Sequence, residues 1–335
     1  MKKEMLLEVS NLKTHFFTDD GVVKAVDGVS FEIHKGETLG VVGESGCGKS
    51  ITAQSVMQLL PYPKGRVVEG SILYHQGENV IDIAALKPAS RGMRRLRGNE
   101  ISMVFQEPMT SLNPVHTIGR QIMEVVIEHQ NLDKKRAKER AVEMLSHVGI
   151  SAPAQRVDEY PHQLSGGMRQ RAVIAMGLAC DPNLLIADEP TTALDVTVEA
   201  QILELMNKLQ DDLGMAIMFI THDLGVIGEM ADRVVVMYSG KVVEYAETDK
   251  IFYEAHHPYT QGLLKSRPAI GRHQRLVPVT GTVPNPLYLP KGCYFAPRCP
   301  HAMDICRETE PAMFAVGEKH WAKCWLHAEK GEGTA

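Results

Sequence analysis

Short apolar runs punctuated by turn residues open the chain. Residues 6–12 (LLEVSNL) and 25–33 (AVDGVSFEI) carry strand-forming valine, isoleucine and phenylalanine, and the turn residues Asp19–Gly21 between them predict a hairpin. TLGVVG at 38–43 is a short apolar strand that runs straight into a glycine loop, and ITAQSVMQLL at 51–60 predicts a helix behind it. Strands are predicted again at 68–76 (VEGSILYHQ) and 101–105 (ISMVF). The pattern then turns helical. IGRQIMEVVIEHQ, KKRAKERAVEMLSHVGI and RQRAVIAMGLAC have helical spacing, the first two with charged faces. NLLIADEP at 183–190 returns to a buried strand, and VEAQILELMNKLQDDLG at 198–214 is an amphipathic helix ended by Gly214. AIMFITHD and RVVVMYSGKVVEYA add further strands. This order predicts an α/β core domain over 1–255 with a helical subdomain at about 115–180. A Pro/Gly-rich linker follows at 256–290, then a cysteine-bearing tail at 291–335. No internal repeat or low-complexity tract interrupts it.

A length of 335 residues with 44% apolar content supports a large core and more than one domain or subdomain. The net charge of -5 gives no sign of a nucleic-acid surface. The opening MKKEMLLEVS has two lysines, but Glu4 and Glu8 break any signal-peptide core. The apolar runs are far shorter than the roughly 20 residues that cross a bilayer. A soluble chain is expected, meeting a membrane only through a surface or a partner.

The candidate chemistry falls into two half-sites. In GESGCGKS (43–50), Gly43, Gly46 and Gly48 let backbone N–H groups turn inward around phosphate oxygens. Lys49 reaches the terminal phosphates, and the Ser50 hydroxyl suits Mg²⁺. The helix behind adds its positive end. LLIADE supplies Asp188, placed to hold the Mg²⁺ water shell, and Glu189, facing the place from which water would attack. Alone, such an acidic pair also reads as a helix cap or a structural ion pair. The second half-site is LSGGMRQR (164–171): Leu164, Ser165, Gly166, Gly167 and Gln170 outline another anion cradle before a helix, although an isolated SGG reads better as a plain cap.

Six cysteines are unevenly placed, with Cys293, Cys299, Cys306 and Cys324 all in the last 45 residues. Without an export signal a disulfide framework is a weak reading. Four thiolates could instead hold zinc, hold an iron–sulfur cluster or remain plain thiols. The intervening stretches of five, six and 17 residues lack the tight pair usual for zinc, and they suit a [4Fe–4S] cluster better. His301, His320 and His327 are neighbouring candidate ligands, and Trp321 and Trp325 are read as packing.

These motifs, in this order, resemble the ATP-binding subunits of ABC transporters: GESGCGKS, LSGGMRQR, LLIADEP with TTALD, and the single histidine of ITHD. Over the full length the chain resembles the dipeptide/oligopeptide importer group. The resemblance implies a P-loop NTPase fold, with a RecA-like core, an antiparallel β subdomain, an inserted helical subdomain and a small Cys-rich extension. It places ATP against Phe16, Gly43, Glu44, Ser45, Gly46, Cys47, Gly48, Lys49, Ser50 and Ile51, with the partner subunit's ATP against Ser165, Gly166, Gly167 and Gln170. Glu189 is then the catalytic base, His222 the switch histidine and Asp195 part of a loop that crosses the dimer interface. Gln106 senses Mg²⁺ and the attacking water; Ser50, Gln106 and Asp188 form the Mg²⁺ set. Cys293, Cys299, Cys306 and Cys324 resemble the tail of cluster-bearing members. EPMTSLNP (107–114), YPHQ (160–163) and HPYTQGLL (257–264) point to the peptide-importer group, the first bordering the groove for a permease coupling helix.

The resemblance also implies the partners. A homologous ATPase subunit forms a heterodimer, two transmembrane permease subunits dock on it, and an extracytoplasmic peptide-binding protein delivers cargo. The place is the cytoplasmic face of the bacterial cell membrane. Importers of nickel, glutathione or oligosaccharides share this machinery, and a non-transport ABC ATPase is the reading from another class.

Overall fold

The computed structural model describes residues 4–106, 111–192, 194–266, 278–328 and 333–334. They form two compact units, each made of several chain segments.

The first unit is built mainly from residues 86–220. Its sheet is parallel: Leu184–Asp188 lies between Ile101–Val104 and Ala216–Thr221, with Ile186 opposite Met103 and Met218. All five residues of Leu184–Asp188 are buried, which explains an unbroken apolar run ending in a carboxylate. Helices Ile118–Gln130, Lys134–His147, Gly166–Leu178 and Val196–Leu213 fill most of the rest. Each starts on a side-chain cap, from Thr117, Asp133, Ser165 and Asp195 respectively. Such caps satisfy N–H groups that the first turn leaves unpaired, worth about 1 kcal/mol each. Ile118, Ile122 and Val126 recur every fourth residue and are at most 1% exposed, so the apolar stripe of that helix is its core face. The helix over Val196–Leu213 ends at Gly214 with φ 64, as its sequence predicts.

The second unit holds an antiparallel sheet in the order Gly21–His34, Met5–Thr18, Gly65–Gln76, Asn79–Asp82. Leu7 lies opposite Tyr74 and Phe16 opposite Gly65. A second sheet brings together Thr38–Val42, Arg233–Tyr238 and Lys241–Glu247, the first two parallel and the last two antiparallel. Two C-terminal strands extend this sheet: His320–Ala322 pairs with Lys241–Glu247, and Met313–Gly317 pairs with His320–Ala322. Gly333–Thr334 closes the edge.

Two sequence expectations change here. The helix expected over 51–60 spans Lys49–Val56 and stops on Gln58, whose φ is 50. Within 256–290, expected as a linker, Pro258–Lys265 is a helix capped by His257. Among the described residues no helix is long and apolar enough to cross a membrane.

Candidate functional site

The glycine loop sits between the buried strand Thr38–Val42 and the helix Lys49–Val56, both in the second unit. Its shape depends on two glycines. A Cβ on Gly43 would lie 2.2 Å from the Met237 carbonyl oxygen, and one on Gly48, at φ 103, would lie 2.4 Å from the Ala25 oxygen. Ser45 and Gly46 are exposed, whereas Cys47 and Lys49 are buried. The Lys49 ammonium donates to the Gly43 and Glu44 carbonyl oxygens at 2.8 and 3.3 Å. Burial pushes the Cys47 thiol up, so it stays protonated. Ser50 and Ile51 begin the helix whose N-terminal end faces the loop. The lysine thus folds back over the glycine loop, onto the loop's own carbonyl oxygens.

The second half-site and the carboxylates lie in the first unit. Asp188 is the last residue of its strand and is 4% exposed. Glu189 follows with φ 48, a left-handed conformation costly for a residue other than glycine. Its N–H donates to the Ile220 oxygen, and its carboxylate accepts from the Gln106 amide at 2.9 Å and from the Thr192 hydroxyl at 3.0 Å. The structure therefore brings Gln106 and Glu189 together, 83 residues apart in sequence.

The signature serine does what a capping residue does: Ser165 Oγ accepts the Met168 N–H at 3.3 Å. Gly166 has open space where a Cβ would point, while a Cβ on Gly167 would lie 2.9 Å from Val198. Gln170 is 1% exposed, with no hydrogen-bond partner for its amide among the described residues. Asp195 is exposed and caps the helix Val196–Leu213 through the Val198 N–H.

Phe16 and His222 belong to the second unit. The Phe16 ring covers Gly65, where a Cβ would lie 2.8 Å from the ring. Its neighbour Phe17 packs under the Arg66 guanidinium, 4.3 Å from the ring centroid. His222 is exposed and directly follows the buried Ala216–Thr221 strand. Residues 107–110 of the EPMTSLNP segment lie outside the described residues.

The tail packs through a polar network that sequence reasoning largely missed. Tyr259, in the HPY segment, accepts the Glu44 N–H at 2.9 Å. Arg298 forks onto the Glu44 carboxylate at 2.6 and 3.0 Å. Glu244, fully buried, accepts the N–H groups of His256 and His257 and pairs with His320 at 2.8 Å. Burial pushes Glu244 up, but the His320 contact and the two backbone N–H bonds outweigh it and hold its carboxyl below the ordinary value. Lys241 bonds Asp27 and Glu310, and Tyr294 donates to Asp27. HPY was the one visible signal for this network; Arg298 had none.

Cys293, Cys299, Cys306 and Cys324 line one cavity with Phe295, His301 and Trp325. Burial, reinforced by the other three thiols, pushes the Cys324 thiol up to about 12. Among the described residues, no three His, Cys, Asp or Glu side chains are grouped so as to hold a metal ion. His320 is engaged with Glu244, and His327 meets the His256 carbonyl oxygen.

Comparison with known proteins gives these features a family. Residues 26–192 match the ABC transporter family model, and residues 243–306 match that of the oligopeptide/dipeptide transporter C-terminal region. The oligopeptide transport ATP-binding protein AppD of Bacillus subtilis is 54% identical over 97% of this chain and 98% of its own. The dipeptide transport ATP-binding protein DppD of the same organism is 48% identical over 98% and 97%. Among solved structures, the dimeric ATP-binding cassette MJ0796 bound to ADP and Pi covers 72% of this chain and 99% of its own, at 26% identity and a TM-score of 0.63. The cbiO1 protein of Clostridium perfringens, part of the ABC transporter complex cbiONQ, covers 75% and 92% at 27% identity and a TM-score of 0.62. The fold is that of the P-loop ABC ATPases, and the chain belongs to the ATP-binding proteins of ABC transporters, in the group with the oligopeptide/dipeptide C-terminal region.

Proposed function

We infer that this chain is the ATP-hydrolysing, energy-coupling subunit of an ABC importer for di- and oligopeptides. The observation that carries the chemistry is Glu189. It stands on a left-handed backbone after a buried strand, with its carboxylate held by Gln106 and Thr192. A carboxylate held in position suits general-base activation of water. Lys49 and the loop N–H groups take the phosphate charge, and His222 takes the γ-phosphate contact. Ser50, Gln106 and Asp188 supply the oxygen donors suited to Mg²⁺, which lends charge neutralisation when bound. The likeness to oligopeptide and dipeptide transport proteins along nearly the whole chain supports the peptide cargo.

The assembly we propose has two ATP sites, each made from one subunit's phosphate loop and the other's LSGG segment. The cassette solved as a dimer with ADP and Pi supports that arrangement. The second ATPase is a homologous subunit, the pair docks on two permease proteins at the cytoplasmic face of the membrane, and an extracytoplasmic binding protein brings the peptide. The test is reconstitution of the co-expressed complex in proteoliposomes. ATP-dependent uptake of a labelled dipeptide is expected, lost on Glu189→Gln. ATP turnover that drives nickel or oligosaccharide uptake but no peptide uptake would overturn the cargo.

For the tail we propose a [4Fe–4S] cluster on Cys293, Cys299, Cys306 and Cys324, with zinc as the second choice. What supports the reading is that all four line one cavity, at intervals along the chain wider than the tight pairs usual for zinc. Such a group would cross-link the segments on which these cysteines stand.

A further inference from the structure

Glu44 puts a carboxylate inside a loop whose task is to receive a triphosphate. Left unpaired, that charge would oppose the nucleotide. The structure gives it a counter-charge from the C-terminal region, 254 residues away. Arg298 Nη1 and Nη2 meet the two carboxylate oxygens at 2.6 and 3.0 Å, the fork geometry that only an arginine offers. The remaining N–H groups are also used. Nη1 reaches the Tyr238 hydroxyl at 3.3 Å, Nη2 the Val279 oxygen at 3.2 Å and Nε the Thr280 oxygen at 2.9 Å. The arginine is 7% exposed, so this is a built site and not a surface pair. Tyr259 holds the Glu44 backbone N–H from the same region.

We propose that Arg298 is a positioning residue for ATP binding that acts through Glu44. It cancels the carboxylate charge at the phosphate cradle and fixes that carboxylate to the tail. Arg298 directly precedes Cys299, so the fold of the cysteine-bearing segment sets whether the fork is in place. The tail thereby governs nucleotide affinity, a task separate from any metal it holds. The inference rests on reading residues 43–50 as the ATP site.

The test is calorimetric titration of the full chain with MgATP at low and high salt. Arg298→Met leaves the Glu44 charge uncompensated, and the expected Kd rises by about tenfold at low salt, the effect of one unit charge at a partly solvated site. High salt should shrink that difference. Glu44→Gln combined with Arg298→Met should restore the Kd to within about twofold of wild type, because the repelling charge is gone. A purely structural role for Arg298 predicts no such rescue. Arg298→Met binding as wild type does, or a double variant as weak as the single one, overturns the proposal. If Arg298→Met does not fold, Arg298→Lys carries the test. It keeps the cation and loses the fork, so a rise of roughly threefold is expected, again removed by Glu44→Gln. Lys49→Ala, titrated in parallel, separates the two readings. Unchanged binding there means that the loop is not the ATP site; lost binding there with an indifferent Arg298→Met sinks only the role of Arg298.

Discussion

The Gln106 amide and the Thr192 hydroxyl converge on the same oxygen of Glu189, at 2.9 and 3.0 Å. Two donors on one oxygen hold the carboxylate in place. As general base it should contribute about 10²- to 10⁴-fold to turnover, so Glu189→Gln is expected to lower kcat by that factor while ATP still binds. Single-turnover hydrolysis together with equilibrium binding checks both halves. Turnover within a few-fold of wild type would remove Glu189 from the role.

The phosphate loop makes two of its glycines unequal. Gly48→Ala would drive a Cβ to 2.4 Å from a carbonyl oxygen at φ 103, whereas Gly46, at φ 78, has nothing within 4 Å. Strain of this kind costs about 1–3 kcal/mol, so Gly48→Ala should weaken ATP by roughly 10- to 100-fold. Gly46→Ala should cost less, about the 1–2 kcal/mol of left-handed backbone alone. Titration of ATP into both variants gives the comparison, and equal losses would contradict the close-contact argument.

Acid should loosen the tail. Burial lowers the His257 pKa from 6.5 to about 4. Between those values the unfolded chain takes up a proton that the folded chain refuses, so stability falls as pH drops through that window. Glu244, held below its ordinary 4.5, adds a second loss at lower pH as its carboxylate protonates. Thermal melts from pH 7 to 4.5 should show a falling midpoint. His257→Asn keeps a capping side chain and should flatten that slope. His256, also lowered by burial, leaves some of it in place.

Anaerobically purified protein should carry about four iron and about four acid-labile sulfide per chain if the cysteine cavity holds a cuboidal cluster. Zinc at one per chain without sulfide would overturn that assignment in favour of the alternative.

The backbone geometry of the motifs was legible because it is local. GESGCGKS, LSGG and LLIADE form a loop, a helix cap and a strand end by short-range backbone geometry, and Gly214 stops its helix where a glycine should. The helix behind the phosphate loop ends four residues before its pattern predicts, for an equally local reason. Gln58, not a glycine, adopts the left-handed stop, with Leu59 N–H on the Gln54 oxygen and Gln58 N–H on the Ser55 oxygen. The tail strands His320–Ala322 and Met313–Gly317 are too short for a period to show, and they form because an existing sheet offers an edge. The pair of Glu44 and Arg298 was invisible, because no pattern along the chain links residues 254 positions apart.

Ser165 has one more consequence. Its oxygen accepts the Met168 N–H, which leaves the hydroxyl proton to be given elsewhere. One small side chain can thus start its own helix and still hold a proton to donate, which the proposed assembly would direct to the other subunit's nucleotide. Aspartate at 165 would keep the helix start and have no proton to give; alanine would lose both. The three residues in turn separate what this segment does for its own chain from what the proposed assembly asks of it.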